Sequence, residues 1–282
     1  KELPERSPEE PPNPELEWHR DGQYFHYLTR WMHALDRISQ HTGDPTANAW
    51  ARELAETAYA AFTYAPFPGA PRRMVWKLSI DLRYPLVATM GQHDPLDGLL
   101  TYRLLQAHRK PEEGPDLAAE IEELERMARG REWWSDDPLS LGGLLTDVHR
   151  IVQLGRQAAD DGSLAVPLLS AAVSGLEAWL RQRPLSDGAE QRLAFRELGL
   201  SLGLHAAGRL QAELEEHPDR FEQLPGVQAS LAALSVHAPL SERIESFWLE
   251  PRQQGSQSWL AHEDINAVML ATSLAPLGYL GS

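Results

Sequence analysis

The sequence predicts an all-α fold on three observations. Apolar residues recur every three or four positions along most of the chain, extended alternation is confined to one short stretch, and Trp- and acid-led segments open successive helix pairs about 57 residues apart. Of 282 residues, 26 are Lys or Arg against 41 Asp or Glu, a formal charge of −15, and none is Cys. A chain this acidic lacks the cationic footprint that binds nucleic-acid phosphates or an anionic membrane surface. Without Cys there are no disulfides, thiolate zinc sites or thiol nucleophiles, so any metal would need His and carboxylate ligands. No metal or other cofactor is expected. No stretch approaches the roughly 18 apolar residues of a membrane span. The expectation is a soluble globular protein in the cytoplasm, with neither nucleic acid nor membrane as partner.

The first residues, KELPERSPEEPPNPELEW, are rich in Pro and Glu and cannot bury enough apolar surface to fold alone. Residues 1–17 are therefore read as an extended lead-in to a single domain over 18–282. The chain opens on Lys1 rather than Met, which reads as a piece of a longer one. From residue 21 to about 40, Tyr24, Leu28, Trp31, Leu35 and Ile38 form one helical stripe, closed by Gly43. Asp44-Pro45 opens a second helix carrying Trp50, Leu54, Ala58 and Ala61, which makes an αα-hairpin. The run FPGAP at 67–71 breaks the pattern, and MVWKLSI at 74–80 is the candidate extended segment. Helical periodicity then predicts pairs over 94–108 and 116–131, and over 138–159 and 164–183. A further pair joins 191–216 to 227–234 or 241–249, and a last helix over 263–274 stands alone.

Each pair is led by similar residues: Trp18 with Asp21, Trp76 with Lys77 and Asp81, Trp133-Trp134 with Asp136 and Asp137, and Trp259 with His262, Glu263 and Asp264. A step near Arg192 keeps the charge without the Trp. In a toroid of αα-hairpins the inner helices run parallel, so such entries would converge in one cavity. A linear solenoid would spread them along a groove. The units differ more than solenoid repeats do, which favours the toroid.

The runs WHRDGQYFHYLTRW, GQHDPLDG and SWLAHEDINAVMLA, with the Trp- and acid-led inner helices, resemble the six-hairpin glycosidase superfamily, the (α/α)6 toroids. That group includes glucosidases, mannosylglycerate-type hydrolases, trehalases, uronate hydrolases and sugar epimerases. The resemblance spans most of 18–280 in architecture and motif style. It implies a ring of six hairpins acting on a carbohydrate. This chain supplies about five, so the expected ring is incomplete, its missing part lying upstream of Lys1 or the ring being completed differently.

The first entry offers His19, Arg20, Asp21, Tyr24 and His26 as substrate-binding residues for a polyol or carboxylate, although Asp21 could equally cap its helix. His26, Arg30 and His33 share a helix face, on which His33 reads as structural. In the second entry Lys77, Asp81 and Arg83 alternate along the extended stretch, so period two sends them to one face, toward a ligand or along a solvated strand edge. His93, Asp94 and Asp97 follow; Asp94-Pro95 also fits a helix start, and Gly91 and Gly98 suggest close backbone approach. Trp76, Trp133 and Trp134 could stack on a sugar ring or plug the core. Arg192, Trp259, His262 and Asp264 complete the binding set, while His205 reads as a core histidine and the acidic run EIEELERMARGRE as a solvated face.

Glycoside hydrolysis needs one protonated and one ionised carboxyl across the scissile bond, roughly 6.5–9.5 Å apart in inverting enzymes. Asp81 or Asp94 with Glu263 is the expected catalytic pairing, in an inverting-type hydrolase of a small sugar or glycoside. Alternatives are a sugar epimerase or isomerase using His19, His93 and His262 as proton carriers, and a non-catalytic α-hairpin binding module. Phosphate-binding, dinucleotide-binding, zinc-protease, nucleophile-elbow and EF-hand motifs do not occur.

Overall fold

The computed structural model describes residues 3–7, 9–87, 89, 91–110, 113–157, 163–222, 224 and 226–281, with only the backbone at 156 and 157. The chain divides into two compact units, residues 1–131 and 132–282. Both are built mainly of α-helix, and no helix among the described residues is long and apolar enough to cross a membrane.

The first unit runs α1 (Pro14–Glu17), β1 (Gln23–Tyr24), α2 (Phe25–Thr42), α3 (Thr46–Phe62), β2 (Thr63–Tyr64), β3 (Arg73–Met74), β4 (Lys77–Leu78), β5 (Pro85–Val87), α4 (Asp94–Ala107) and α5 (Ala118–Ala128). Helices α2 and α3 form the expected hairpin. Gly43, at φ 73°, ends α2 in the left-handed conformation that glycine adopts without penalty, and Asp44 Oδ1 accepts the Thr46 N–H at 3.0 Å to start α3. Helix α4 runs parallel to α2. Gly98 lies against Phe25 near one end, and Asp36 of α2 meets His108, just beyond α4, at 2.8 Å near the other. The core between them holds Phe25, Phe62, Leu96, Leu99 and Tyr102, all fully buried, and the Tyr102 hydroxyl donates to Ala55 O at 2.6 Å. Burial of each large apolar side chain of this kind is worth about 1.5–3 kcal/mol.

Two expectations for this unit change. Helix α2 buries Phe25, Thr29, Met32, Asp36 and Ser39, while Trp31 and Ile38 of the expected stripe are exposed. The polar positions can be buried because each finds a partner: Asn48 Nδ2 donates to Asp36 Oδ1 at 2.8 Å, and Ser39 Oγ to Asp44 O at 2.7 Å. The extended stretch is broken into short antiparallel strands, ordered β1-β4-β5 and β2-β3. Residues 79–84 form a turn with Leu82 at φ 63°, so Lys77, Asp81 and Arg83 do not share a face: Lys77 is buried, and Asp81 and Arg83 project into solvent as an ion pair of 3.2 Å. The lead-in is largely irregular yet fastened down. Leu3 N–H donates to His19 O and Asp21 N–H to Leu3 O, both at 2.7 Å, and Arg6 pairs with the buried Glu17 at 3.0 Å.

The second unit runs α6 (Pro138–Gln157), α7 (Ala165–Arg181), α8 (Ala194–Glu216), α9 (Val227–Ser235), α10 (Pro239–Leu249), α11 (Pro251–Gln254), α12 (Gln257–Leu260), α13 (Glu263–Leu274) and α14 (Pro276–Leu280), with short 3-10 turns before and after α8. The partner of α8 comes as both α9 and α10. The expected end of α6 at 159 lies outside the described residues. Helices α6, α8 and α13 run parallel: Gly142 of α6 abuts Gly199 and Gly203 of α8, while Phe195 and Gly199 of α8 meet Asn266 and Met269 of α13. Helix α10 returns antiparallel to α8, with Trp248 against Glu197 and Glu245 against Ser201.

Candidate functional site

A group of titratable side chains in the first unit gathers where α4 begins beside α2. His93 occupies the N-cap position, Pro95 preorganises the first turn, and Asp94 and Asp97 occupy that turn. Both carboxylates are buried, at 6 % and 5 % exposure. From α2, His26 Nδ1 approaches Asp94 Oδ1 at 3.9 Å, Arg30 Nη1 approaches Asp97 Oδ1 at 3.6 Å, and the Thr29 hydroxyl hydrogen-bonds Asp97 Oδ2. Asp94 Oδ2 is buried with no hydrogen-bond partner among the described residues.

Two effects compete at Asp94. A carboxylate in the first turn of a helix is favoured by the axial dipole, and Arg131, the Gly91 amide and Arg30 also favour the charged form. Burial and then the neighbouring Asp97 charge outweigh them and push the Asp94 carboxyl up to about 7. Burial, followed by Arg30, pushes the His26 imidazole down to about 4. Near neutrality Asp94 is thus a half-protonated acid facing a neutral imidazole rather than one half of an ion pair.

This acid lies beside an aromatic cluster. Tyr24 contacts His26 (5.4 Å between centroids), Tyr27 (4.9 Å) and Trp76 (5.1 Å), and Trp76 in turn contacts Trp18 (4.8 Å). Trp18 and Tyr27 are about half exposed, so the cluster offers ring faces to solvent next to His26.

Of the residues selected from sequence, Tyr24, His26, Trp76, His93, Asp94 and Asp97 belong to this region. Lys77 lies beneath it, fully buried, donating to the carbonyls of Arg20, Glu17 and Trp18 with its ammonium 4.9 Å from the Tyr24 ring. It ties the chain together there, as does Arg20, which donates to Pro4 O and pairs with Glu10. Asp21 is exposed and bonds the Gly22 amide at 2.8 Å; it does not cap α2, because Gln23 and Tyr24 pair as a strand first. His19 is exposed. Asp81 accepts from Ser79 Oγ at 2.7 Å, and that bond, with the Arg83 amide and guanidinium, holds its carboxyl below the usual range.

In the second unit Trp133 is a core residue, as one of the two expectations had it, and Trp134 is half exposed. Trp259 is buried against Trp248, while His262, Glu263 and Asp264 are exposed around the start of α13. Asn266, in the first turn of α13, is buried too; it accepts from Phe195 N and donates to Trp259 O, both at 2.9 Å. Arg192 is buried against Glu197. Sequence reasoning missed Thr29 and Arg131. The first is small and polar within an apolar stripe, and the second lies in a run read as solvated; only the fold brings them to the acids. No group of three His, Asp or Glu that could hold a metal occurs among the described residues.

The raised Asp94 sets a pH dependence. Between about pH 4 and about pH 7 the unfolded chain ionises this group and the folded chain does not, so folding stability falls as pH rises, by up to about 4 kcal/mol from this residue. The lowered His26 acts oppositely, its contribution being lost as pH falls from about 6.5 to about 4. With 37 % of its side chain exposed, water screens it, and its effect is the smaller. Asp94→Asn is expected to abolish the decline and leave the shallow His26 slope. Urea midpoints of both proteins at about pH 4.5 and about pH 7.5 check this; parallel profiles would count against a protonated Asp94. Compared with protein-family models, curated proteins and solved structures, the chain matches none.

Proposed function

We propose that the protein is a carbohydrate-active enzyme, a glycoside hydrolase in which Asp94 is the general acid and Asp97, in the same helical turn, is the neighbouring charge that helps to keep it protonated. The observation that carries this reading is a buried carboxylic acid, one oxygen lacking a hydrogen-bond partner among the described residues, placed next to solvent-facing aromatic rings. Aromatic faces suit the C–H surface of a sugar ring, and a carboxyl kept protonated by burial and a like charge is what leaving-group protonation requires. The parallel α2 and α4 in one unit, and α6, α8 and α13 in the other, support an (α/α)6-like toroid of hairpins as the framework.

A screen of disaccharides and aryl glycosides, followed by Asp94→Asn, tests the reading. Loss of a general acid is expected to lower disaccharide turnover at least about 100-fold. An activated aryl glycoside, whose leaving group needs little protonation, should lose less. Wild-type kcat should fall above about pH 7 as Asp94 ionises. Undiminished disaccharide turnover in Asp94→Asn would remove Asp94 from the mechanism. Asp97→Asn, which removes the like charge beside Asp94, should move the fall in kcat to lower pH, and an unmoved profile would remove Asp97 from this role. The approach of neutral His26 to Asp94 favours one second reading, proton transfer at a sugar carbon in an epimerase. Solvent deuterium appearing at a substrate carbon would select it over hydrolysis.

A further inference from the structure

The second unit contains a cleft of about 430 Å³ bounded by Leu185, Arg192, Glu242, Arg243, Ser246 and Phe247. One wall is a single face of α10, where Glu242 and Ser246, and Arg243 and Phe247, are stacked one turn apart. The opposite wall is the segment entering α8, which carries Arg192. That side chain is 5 % exposed and is held on two sides: Nε and Nη2 donate to Glu197 Oε1 and Oε2 at 2.9 and 2.6 Å, and the guanidinium lies 3.7 Å from the Phe247 ring centroid. Its Nη1 donates to nothing among the described residues, and it is the part of the fork left for the cleft. Arg243 makes no ion pair among the described residues.

We propose that this cleft binds a small organic carboxylate carrying a hydrogen-bond donor, its carboxylate between Arg192 and Arg243 and its donor at Glu242. The guanidinium of Arg192 is preorganised, so ordering it on binding costs little, and its planar edge matches a carboxylate. Charge selects the ligand. Glu197 is committed to Arg192, leaving Glu242 as the acid facing the cleft, where it repels a dianion but accepts from a hydroxyl or ammonium on a monoanion. The volume lies toward the small end of ligand sites, which suits a metabolite-sized molecule. None of these residues belongs to the Asp94 region, so carboxylate binding here does not depend on the hydrolase reading.

Saturation-transfer NMR and calorimetry on the full chain, with lactate, gluconate and inorganic phosphate as probes, test it. At least one of the two hydroxycarboxylates is expected to bind with a Kd of about 1 mM or tighter. Arg243→Glu, an exposed substitution that leaves the Arg192–Glu197 pair in place, should weaken that binding at least about tenfold, one decade in Kd, while Arg83→Glu in the other unit should leave it unchanged. Failure of both hydroxycarboxylates to bind, binding indifferent to Arg243→Glu, or phosphate binding as tightly as the carboxylates would each overturn the proposal.

Discussion

Gly142→Ala is expected to destabilise the second unit by about 3 kcal/mol or more, although alanine is the better helix former by about 1 kcal/mol. A Cβ at residue 142 would stand 2.0 Å from Gly199 O and 2.8 Å from Leu200 N, and the atoms it meets are backbone atoms that cannot swing aside. From the other side, a Cβ on Gly203 would stand 2.6 Å from Gly142 Cα. Helices α6 and α8 are therefore in backbone contact, and their parallel course requires glycine at the crossing. The neighbouring Gly143 is the control: among the described residues nothing lies within 4 Å of the point a Cβ would occupy there, so Gly143→Ala should be neutral or raise stability by up to about 1 kcal/mol. Denaturant midpoints of the two variants, read against wild type, decide the matter. Equal midpoints would mean that the two helices do not approach so closely.

Helix positions were legible where local chemistry punctuates the chain. Asp94-Pro95 starts α4, Gly43 ends α2, and the helix expected at 263–274 is α13. Which face of a helix is buried was less legible. Periodicity weighs large apolar residues, whereas α2 buries Thr29, Asp36 and Ser39 because Asp97, Asn48, His108 and Asp44 satisfy them from elsewhere in the chain. The same gap explains the site. His26, Asp94 and Asp97 were each selectable as residue types at a helix entry, but their pairing follows from α2 and α4 running parallel. Lys77 shows the converse. A lysine surrounded by carbonyls cannot be told by spacing from one that faces a ligand.

Glu197→Ala is expected to cost about 3–5 kcal/mol, the usual penalty for leaving a buried charge without its counterion. Arg192 and Glu197 are both buried, at 5 % and 4 % exposure, and both carboxylate oxygens are used. Oε2 also accepts the Trp248 indole N–H at 2.8 Å, so one truncation strands a guanidinium and an indole together. The size of that loss does not measure what the pair adds to stability, since two charges were desolvated to form it. The double variant Arg192→Met/Glu197→Leu separates the two quantities. If the pair is retained for positioning, the double variant should recover most of the stability lost by Glu197→Ala while losing carboxylate binding in the cleft. A double variant as unstable as the single one would instead make the pair a structural requirement of the second unit. Equilibrium unfolding of wild type and both variants, with gluconate titrated into the double variant, distinguishes these outcomes. Phe247 bears on the positioning role as well. Its ring keeps the guanidinium in plane once Glu197 is present, so Phe247→Leu should weaken carboxylate binding with little change in the unfolding midpoint.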